Sequence, residues 1–166
     1  KTVPSVEAKL VDVNDDGIGE LVVRGSSVML GYYENEKVNN KSLQDGWFYT
    51  GDLAKIDEEG YIFICGRKKS VIVLKNGKNI FPEEMENLVN KIEGIKESFI
   101  FGKIQSNDEN NIKINVKIVF DRDVIKDVYK VEKDEDIYKV LSKKIKEVNQ
   151  TMPSYKAIRG IMLTEE

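Results

Sequence analysis

The period of the hydrophobic pattern changes once along this chain, near Arg67, and that change limits the folds open to it. Before it the apolar runs are of strand length. Val6 to Val13 and Ile18 to Arg24 flank Asn14-Asp15-Asp16-Gly17, which predicts a hairpin. Leu53 to Ile56 and Tyr61 to Cys65 flank Asp57-Glu58-Glu59-Gly60, where acidic residues and a glycine favour a second reversal. Residues 1 to about 66 therefore read as antiparallel β, interrupted by a loop that carries Gly31-Tyr32-Tyr33 and Trp47-Phe48-Tyr49.

Beyond Arg67 a helical period sets in. Pro82 stands where a helix begins, Glu83, Glu84 and Glu86 load its first turn with negative charge, and Met85, Leu88, Val89 and Ile92 share one face. Gly94 stops it. Two strands are expected at Ser98 to Ile104 and Ile112 to Phe120, on either side of the polar stretch Gln105 to Asn111. A second helix, from about Asp134 to Asn149, carries Ile137, Leu141, Ile145 and Val148 on one stripe, acidic at its start and basic later. Ile158 to Leu163 reads as a last strand. The expected fold class is α+β: an antiparallel β subdomain over residues 1–68, then a small unit over 69–166 with helices on one face of an antiparallel sheet.

Composition removes many kinds of chemistry. There is no histidine among the 166 residues and Cys65 is the one cysteine. Cys/His metal sites, disulfide frameworks and histidine-activated nucleophiles therefore cannot be built within the chain, and no metal ligand set is expected. A reducing, cytoplasmic setting is the default for such cysteine usage. The longest apolar runs fall far short of the ~20 residues a membrane-spanning helix needs. A net charge of −3 argues against a dedicated nucleic-acid partner, which is usually basic. Phe99, Phe101 and Phe120 are expected in the core rather than as a stacking platform. With 8 basic and 12 acidic side chains over 1–68 against 18 and 17 beyond, the acidity lies in the first part. Lys1-Thr2-Val3-Pro4 has neither an initiator methionine nor an apolar signal core, so a piece of a larger protein is expected.

Three glycine-containing segments are candidates for chemistry, each with a plain structural alternative. Gly19 to Gly25 with Gly31-Tyr32-Tyr33 reads equally as a strand between turns. Trp47 to Leu53 sets a carboxylate, Asp52, beside a small turn; it either closes that turn or accepts hydrogen bonds from a sugar diol. Gly66 to Glu86 joins a basic cluster, a buried strand, an Asn76-Gly77 turn and a capped helix. Its cations either form a solvated face or meet a phosphate.

Taken in order, these segments resemble the adenylate-forming superfamily of acyl-CoA synthetases, peptide-synthetase adenylation domains and luciferases. The match runs through the family's Gly-Glu-Leu and Gly-Tyr segment at Gly19 to Tyr33. It continues through its Tyr-x-Thr-Gly-Asp segment, approximated by Phe48 to Asp52, and its Gly-Arg-x-Lys to Pro-x-Glu-x-Glu segment at Gly66 to Glu86. Arg67 to Ile80 and Met152-Pro153-Ser154-Tyr155-Lys156 are most similar to long-chain fatty-acid CoA ligases. The resemblance spans roughly residues 18–163.

The resemblance implies the end of a large adenylation domain followed by a mobile carboxy-terminal lid, in an enzyme that joins a fatty acid to AMP and passes the acyl group to CoA. ATP, Mg2+, CoA and the fatty acid are the implied small-molecule partners, together with the enzyme's own amino-terminal domain. Peripheral membrane association of the parent is compatible with it. Thr50, Asp52 and Arg67 fall at nucleotide-binding positions, with Asp52 on the ribose hydroxyls and Arg67 on the ribose or phosphate region. Lys69 falls at the hinge, and Gly77 in the loop that approaches the CoA arm. No catalytic residue is assigned within these residues: the family's phosphate loop would precede Lys1, and its catalytic lysine follows the stretch containing Lys156. Adenylation by the chain alone is accordingly not expected. Aryl-CoA ligases, peptide-synthetase adenylation domains and a non-catalytic α+β binding module are the alternatives.

Overall fold

The computed structural model describes residues 1–104 and 112–165. The polar stretch between the two expected strands lies outside them. The chain divides into two compact units, Lys1–Ser70 and Val71–Glu166.

The first unit is a sheet of five strands. β1 (Val6–Val11) and β2 (Gly19–Gly25) form the first hairpin. Asn14 makes its reversal, the side-chain Oδ1 accepting from the amides of Asp16 and Ile18 at 3.1 and 3.0 Å. A short helix α1 (Glu36–Ser42) and a two-residue strand β3 (Leu43–Gln44) follow. Then come β4 (Trp47–Ile56) and β5 (Ile62–Arg67). β2 lies along one edge of β4, whereas β3 and β5 pair with the start and the remainder of its other edge. Asp57 closes the β4–β5 turn as Asn14 closes the first, its Oδ1 accepting from the amides of Glu59 and Tyr61.

Two features here differ from expectation. Trp47-Phe48-Tyr49 begins a ten-residue strand instead of lying in a loop, with Lys9 Nζ 4.2 Å and the Arg24 guanidinium 4.6 Å from the Trp47 ring centre. Helix α1 has no apolar stripe and no buried residue. It is started by Asn35, whose side chain accepts from the Val38 amide.

The second unit opens with a small hairpin, β6 (Ile72–Val73) and β7 (Asn79–Ile80), which leads into α2 (Pro82–Val89). β8 (Ile95–Ile104) and β9 (Ile112–Phe120) pair antiparallel. α3 (Arg122–Tyr129) and α4 (Asp134–Gln150) carry the chain across to β10 (Gly160–Thr164). β10 lies parallel to β9, so this sheet is mixed and not antiparallel throughout. The long α3–α4 connection makes parallel pairing available.

Central strand β9 alternates strictly: Ile114, Val116, Ile118 and Phe120 are buried, whereas Lys113 and Lys117 are exposed. The buried side packs with Met85 and Val89 of α2, Ile125 of α3, and Ile137, Leu141 and Ile145 of α4. Phe120 is thus core as expected. Phe99 is not: it is 62% exposed on the opposite face, its ring stacked on Phe101 at 6.0 Å, because its position on β8 is cross-strand to Lys117.

Helix α3 has no counterpart among the elements expected from the sequence. Asp121 caps it, accepting from the amides of Asp123 and Val124. The Val124 amide above all, and Lys96 at 3.3 Å, hold the Asp121 carboxyl below the ordinary aspartate range against a smaller opposing effect of desolvation. Gly94 carries the chain from α2 into β8 with φ +88°, and a Cβ there would stand 2.5 Å from Ile125 Cδ1. Gly94→Ala is therefore expected to lose about 2 kcal/mol or more, from left-handed backbone strain and overpacking together. Urea unfolding followed by far-UV circular dichroism checks this.

Candidate functional site

Strands β2 and β4 fall out of step beside the site. Glu20 pairs with Leu53 and Val22 with Tyr49, so two steps along β2 answer four along β4. Thr50, Gly51 and Asp52 form the resulting bulge, with Gly51 at φ +74°. Such a bulge withdraws backbone groups from the ladder, and each must find another partner.

The partners are specific. Thr50 Oγ1 donates to Leu21 O at 2.8 Å and accepts from the Asp52 amide at 3.0 Å. The Gly51 amide donates to Glu20 Oε1 at 3.2 Å, and Gly51 O accepts from the Lys68 amide at 2.8 Å. On the other edge of β4, Asp52 lies cross-strand to Arg67. Arg67 Nε donates to Asp52 Oδ1 at 3.0 Å, with the Asp52 side chain 29% exposed. The carboxylate is thus fixed in direction, keeps acceptor capacity for further hydroxyls, and stands beside a permanent cation.

The bulge borders a cleft of about 900 Å³. Thr50, Gly51, Arg67, Lys68 and Lys69 line one part of it, and Tyr32, Lys37 and Lys41 another. Helix α1 orders the Gly31-Tyr32 segment: Asn39 Oδ1 accepts from the Tyr32 amide at 2.7 Å, and Asn39 Nδ2 donates to Tyr32 O at 3.0 Å. Expected residues Thr50, Asp52, Arg67 and Lys69 are therefore brought together in one unit, with Lys69 exposed just past the end of β5.

Gly77 lies in the second unit, at the tip of the β6–β7 hairpin. Its amide donates to Leu74 O, its φ is +77°, and a Cβ would meet nothing within 4 Å. The Lys156 side chain is only 17% exposed. Its Nζ lies 2.6 Å from Glu84 Oε2 and ties the 3-10 turn Ser154–Lys156 to the start of α2. A second cleft, about 630 Å³, lies beside Phe120, Tyr138 and Leu163. Of the two cations lining it, Arg122 is held by Asp134 and Glu165, and Lys139 by Asp136.

Two residues of the site had no role in the sequence reading. Glu20 is buried at 7% exposure, and its Oε2 accepts from Lys68 Nζ at 2.7 Å. That hydrogen bond raises the Lys68 pKa above the ordinary lysine value, with burial opposing it and the charges of Glu20 and Asp12 adding. The available signal was a single charge immediately before the apolar run Leu21-Val22-Val23 of a central strand.

A five-stranded sheet with an aspartate–arginine pair at its bulge is thus followed by a small α+β unit. O-succinylbenzoate Coenzyme A synthetase from Bacillus subtilis, solved with ATP and magnesium ion, matches all of this chain with a TM-score of 0.76 at 25% identity, over 32% of its own chain. McyG A-PCP, solved with phenylalanyl-adenylate, matches equally well at 29% identity over 29% of that chain. The chain belongs to the AMP-binding enzyme C-terminal domain family, which residues 69–165 match.

Among curated relatives, a long-chain-fatty-acid–CoA ligase of Escherichia coli O157:H7 is 40% identical over 119 residues, 69% of this chain and 21% of the relative. A 2-succinylbenzoate–CoA ligase of Listeria monocytogenes serotype 4b (strain F2365) is 41% identical over 93 residues, 56% of this chain and 19% of the relative. The chain thus spans about a fifth of these relatives.

Thr50→Val would leave Leu21 O and the Asp52 amide without their partner. The expected loss is about 1–3 kcal/mol of first-unit stability, read from Trp47 fluorescence during urea unfolding.

Proposed function

We propose that this chain is the carboxy-terminal part of an ATP-dependent acyl-CoA synthetase. Its first unit would be the end of the adenylation domain and its second the mobile lid. The observation that carries the reading is the Asp52–Arg67 pair on the bulge, in a chain of this family. A fatty acid is the proposed acid substrate, supported by 40% identity over 119 residues to the long-chain ligase against 36% over 121 residues to a 2-succinylbenzoate ligase of Listeria innocua. A reducing cytoplasmic setting belongs to the same proposal.

In the proposed reaction the acid's carboxylate oxygen attacks the α-phosphorus of ATP and pyrophosphate leaves. The thiol of CoA, giving up its proton, then attacks the acyl carbon and AMP leaves. Asp52 accepts hydrogen bonds from the ribose hydroxyls, which lowers the rotational freedom of the nucleotide and aligns its α-phosphate. Arg67 directs the Asp52 carboxylate through its 3.0 Å contact, and its guanidinium would meet ribose or phosphate oxygens. Thr50 holds the bulge that sets both. Mg2+ enters the proposal with ATP, as the counter-ion of the MgATP substrate.

Lys69 is the proposed pivot between the two half-reactions, and Gly77 the point where the hairpin comes close to the CoA arm without a side chain in the way. The 166 residues by themselves are proposed not to catalyse adenylation, since they contain no Ser/Thr/Gly-rich phosphate loop.

In the complete ligase, Asp52→Ala is expected to raise KM for ATP by roughly tenfold or more, and unchanged ATP use overturns the ribose role. Lys69→Pro is expected to slow thioester formation more than adenylation; equal loss of both counts against the hinge. Comparing palmitate with 2-succinylbenzoate as the acid decides the substrate class. Pyrophosphate exchange by the purified 166 residues would refute their inactivity.

A second reading, a non-catalytic module, draws support from the exposed Phe99–Phe101 stack beside Lys117. It expects salt-dependent binding of single-stranded RNA, whereas the ligase reading expects none. A fluorescence-anisotropy titration separates them.

A further inference from the structure

Glu20 is the buried charged side chain of the described residues, and the proposed chemistry gives it no part. Its two carboxylate oxygens serve different segments. Oε1 accepts from the Gly51 amide in the bulge, at 3.2 Å, and Oε2 from Lys68 Nζ at the end of β5, at 2.7 Å. A further bond closes the ring, from the Lys68 amide to Gly51 O at 2.8 Å. Asp12 Oδ2, 3.6 Å from Lys68 Nζ, adds a weaker attraction. Gly51 and Lys68 are thus each held through two of their own groups.

The residues beside those two are the ones proposed to meet the nucleotide. Asp52 follows Gly51 and Arg67 precedes Lys68, so movement of either held residue opens the 3.0 Å contact between Asp52 and Arg67. An apolar side chain at position 20 would leave the Gly51 amide and the Lys68 ammonium without the acceptor that holds them in place. What the carboxylate contributes is therefore position.

We infer that Glu20 is a positioning residue for the nucleotide site, fixing the bulge that carries Asp52 and the strand end that carries Arg67 as one piece. This rests on the proposed nucleotide role of that pair. Lys68, one residue before the proposed hinge at Lys69, is anchored by both side chain and backbone. Rotation at the proposed hinge then begins from a fixed residue, so the swing of the lid does not disturb the nucleotide contacts.

Two measurements test the inference on Glu20→Gln, Lys68→Met and Lys68→Arg. In the 166-residue chain, amide exchange followed by NMR is expected to quicken roughly tenfold or more at positions 51 and 68 in the first two variants. Positions 114 and 118 should keep their protection, and Lys68→Arg should restore positions 51 and 68. In the complete ligase, the same two variants are expected to raise KM for ATP roughly tenfold, leaving KM for the acid unchanged, with Lys68→Arg recovering most of the loss.

Unchanged exchange at 51 and 68 overturns the anchor. Faster exchange with an unaltered KM for ATP overturns the positioning role alone. A wild-type ligase that does not use ATP overturns the nucleotide reading, and this inference with it. Should Glu20→Gln unfold, seen as lost protection at 114 and 118 too, the contrast between Lys68→Met and Lys68→Arg carries the test.

Discussion

A buried carboxylate on a central strand is the constraint around which the first unit is arranged. Removing a carboxylate from water costs several kcal/mol unless its oxygens are matched by strong donors. The regular ladder cannot supply them, because a strand's amides are already spent on its neighbours. The two extra residues in β4 solve this by freeing the Gly51 amide and carbonyl, which Glu20 and Lys68 then take. Carboxylate, bulge and cation are one solution, and none of the three is satisfied without the others. The direction of Asp52 is a by-product of that arrangement.

The second unit is held on different grounds. Its central strand buries every second residue from Ile114 to Phe120, and three helices cover that apolar face. Edge strand β8 is protected by Glu86, whose Oε1 accepts from the Ile100 amide at 2.8 Å. At Gly102 a Cβ would stand 2.6 Å from Ile112 Cγ2 and 3.2 Å from Ile72 Cγ2. A glycine there lets the base of the β6–β7 hairpin sit against the sheet. The hairpin tip carrying Gly77 is thus exposed while its base is packed.

Much of this was legible in the order of the residues. Both hairpin reversals in the first unit, helix α2, helix α4 and strand β9 follow from turn chemistry and apolar period, because local preference and burial agree there. Helix α1 was not legible, since it buries nothing and depends on the Asn35 cap and the Asn39 contacts to Tyr32. The parallel placement of β10 is a choice of topology that alternation along one strand does not encode. Phe99 was misread because an aromatic residue in a strand was assigned to the core without asking which face its register gave it. Asp52 and Arg67 were found through motif resemblance, whereas their cross-strand pairing depends on the bulge, which no spacing in the sequence announces.

The run Arg67-Lys68-Lys69 shows why a cluster of like charges is a poor unit of interpretation. Read as composition, it is a solvated basic face or a phosphate trap. In the fold its members have separate environments, because consecutive residues at a strand end point to opposite sides and then leave the sheet. Arg67 meets Asp52 across the ladder, Lys68 turns to the buried Glu20, and Lys69 is exposed. Two of the three charges are therefore matched within the first unit before any ligand arrives. The run works less as a pool of positive charge than as a graded release of the chain, from a paired residue through an anchored one to an exposed one.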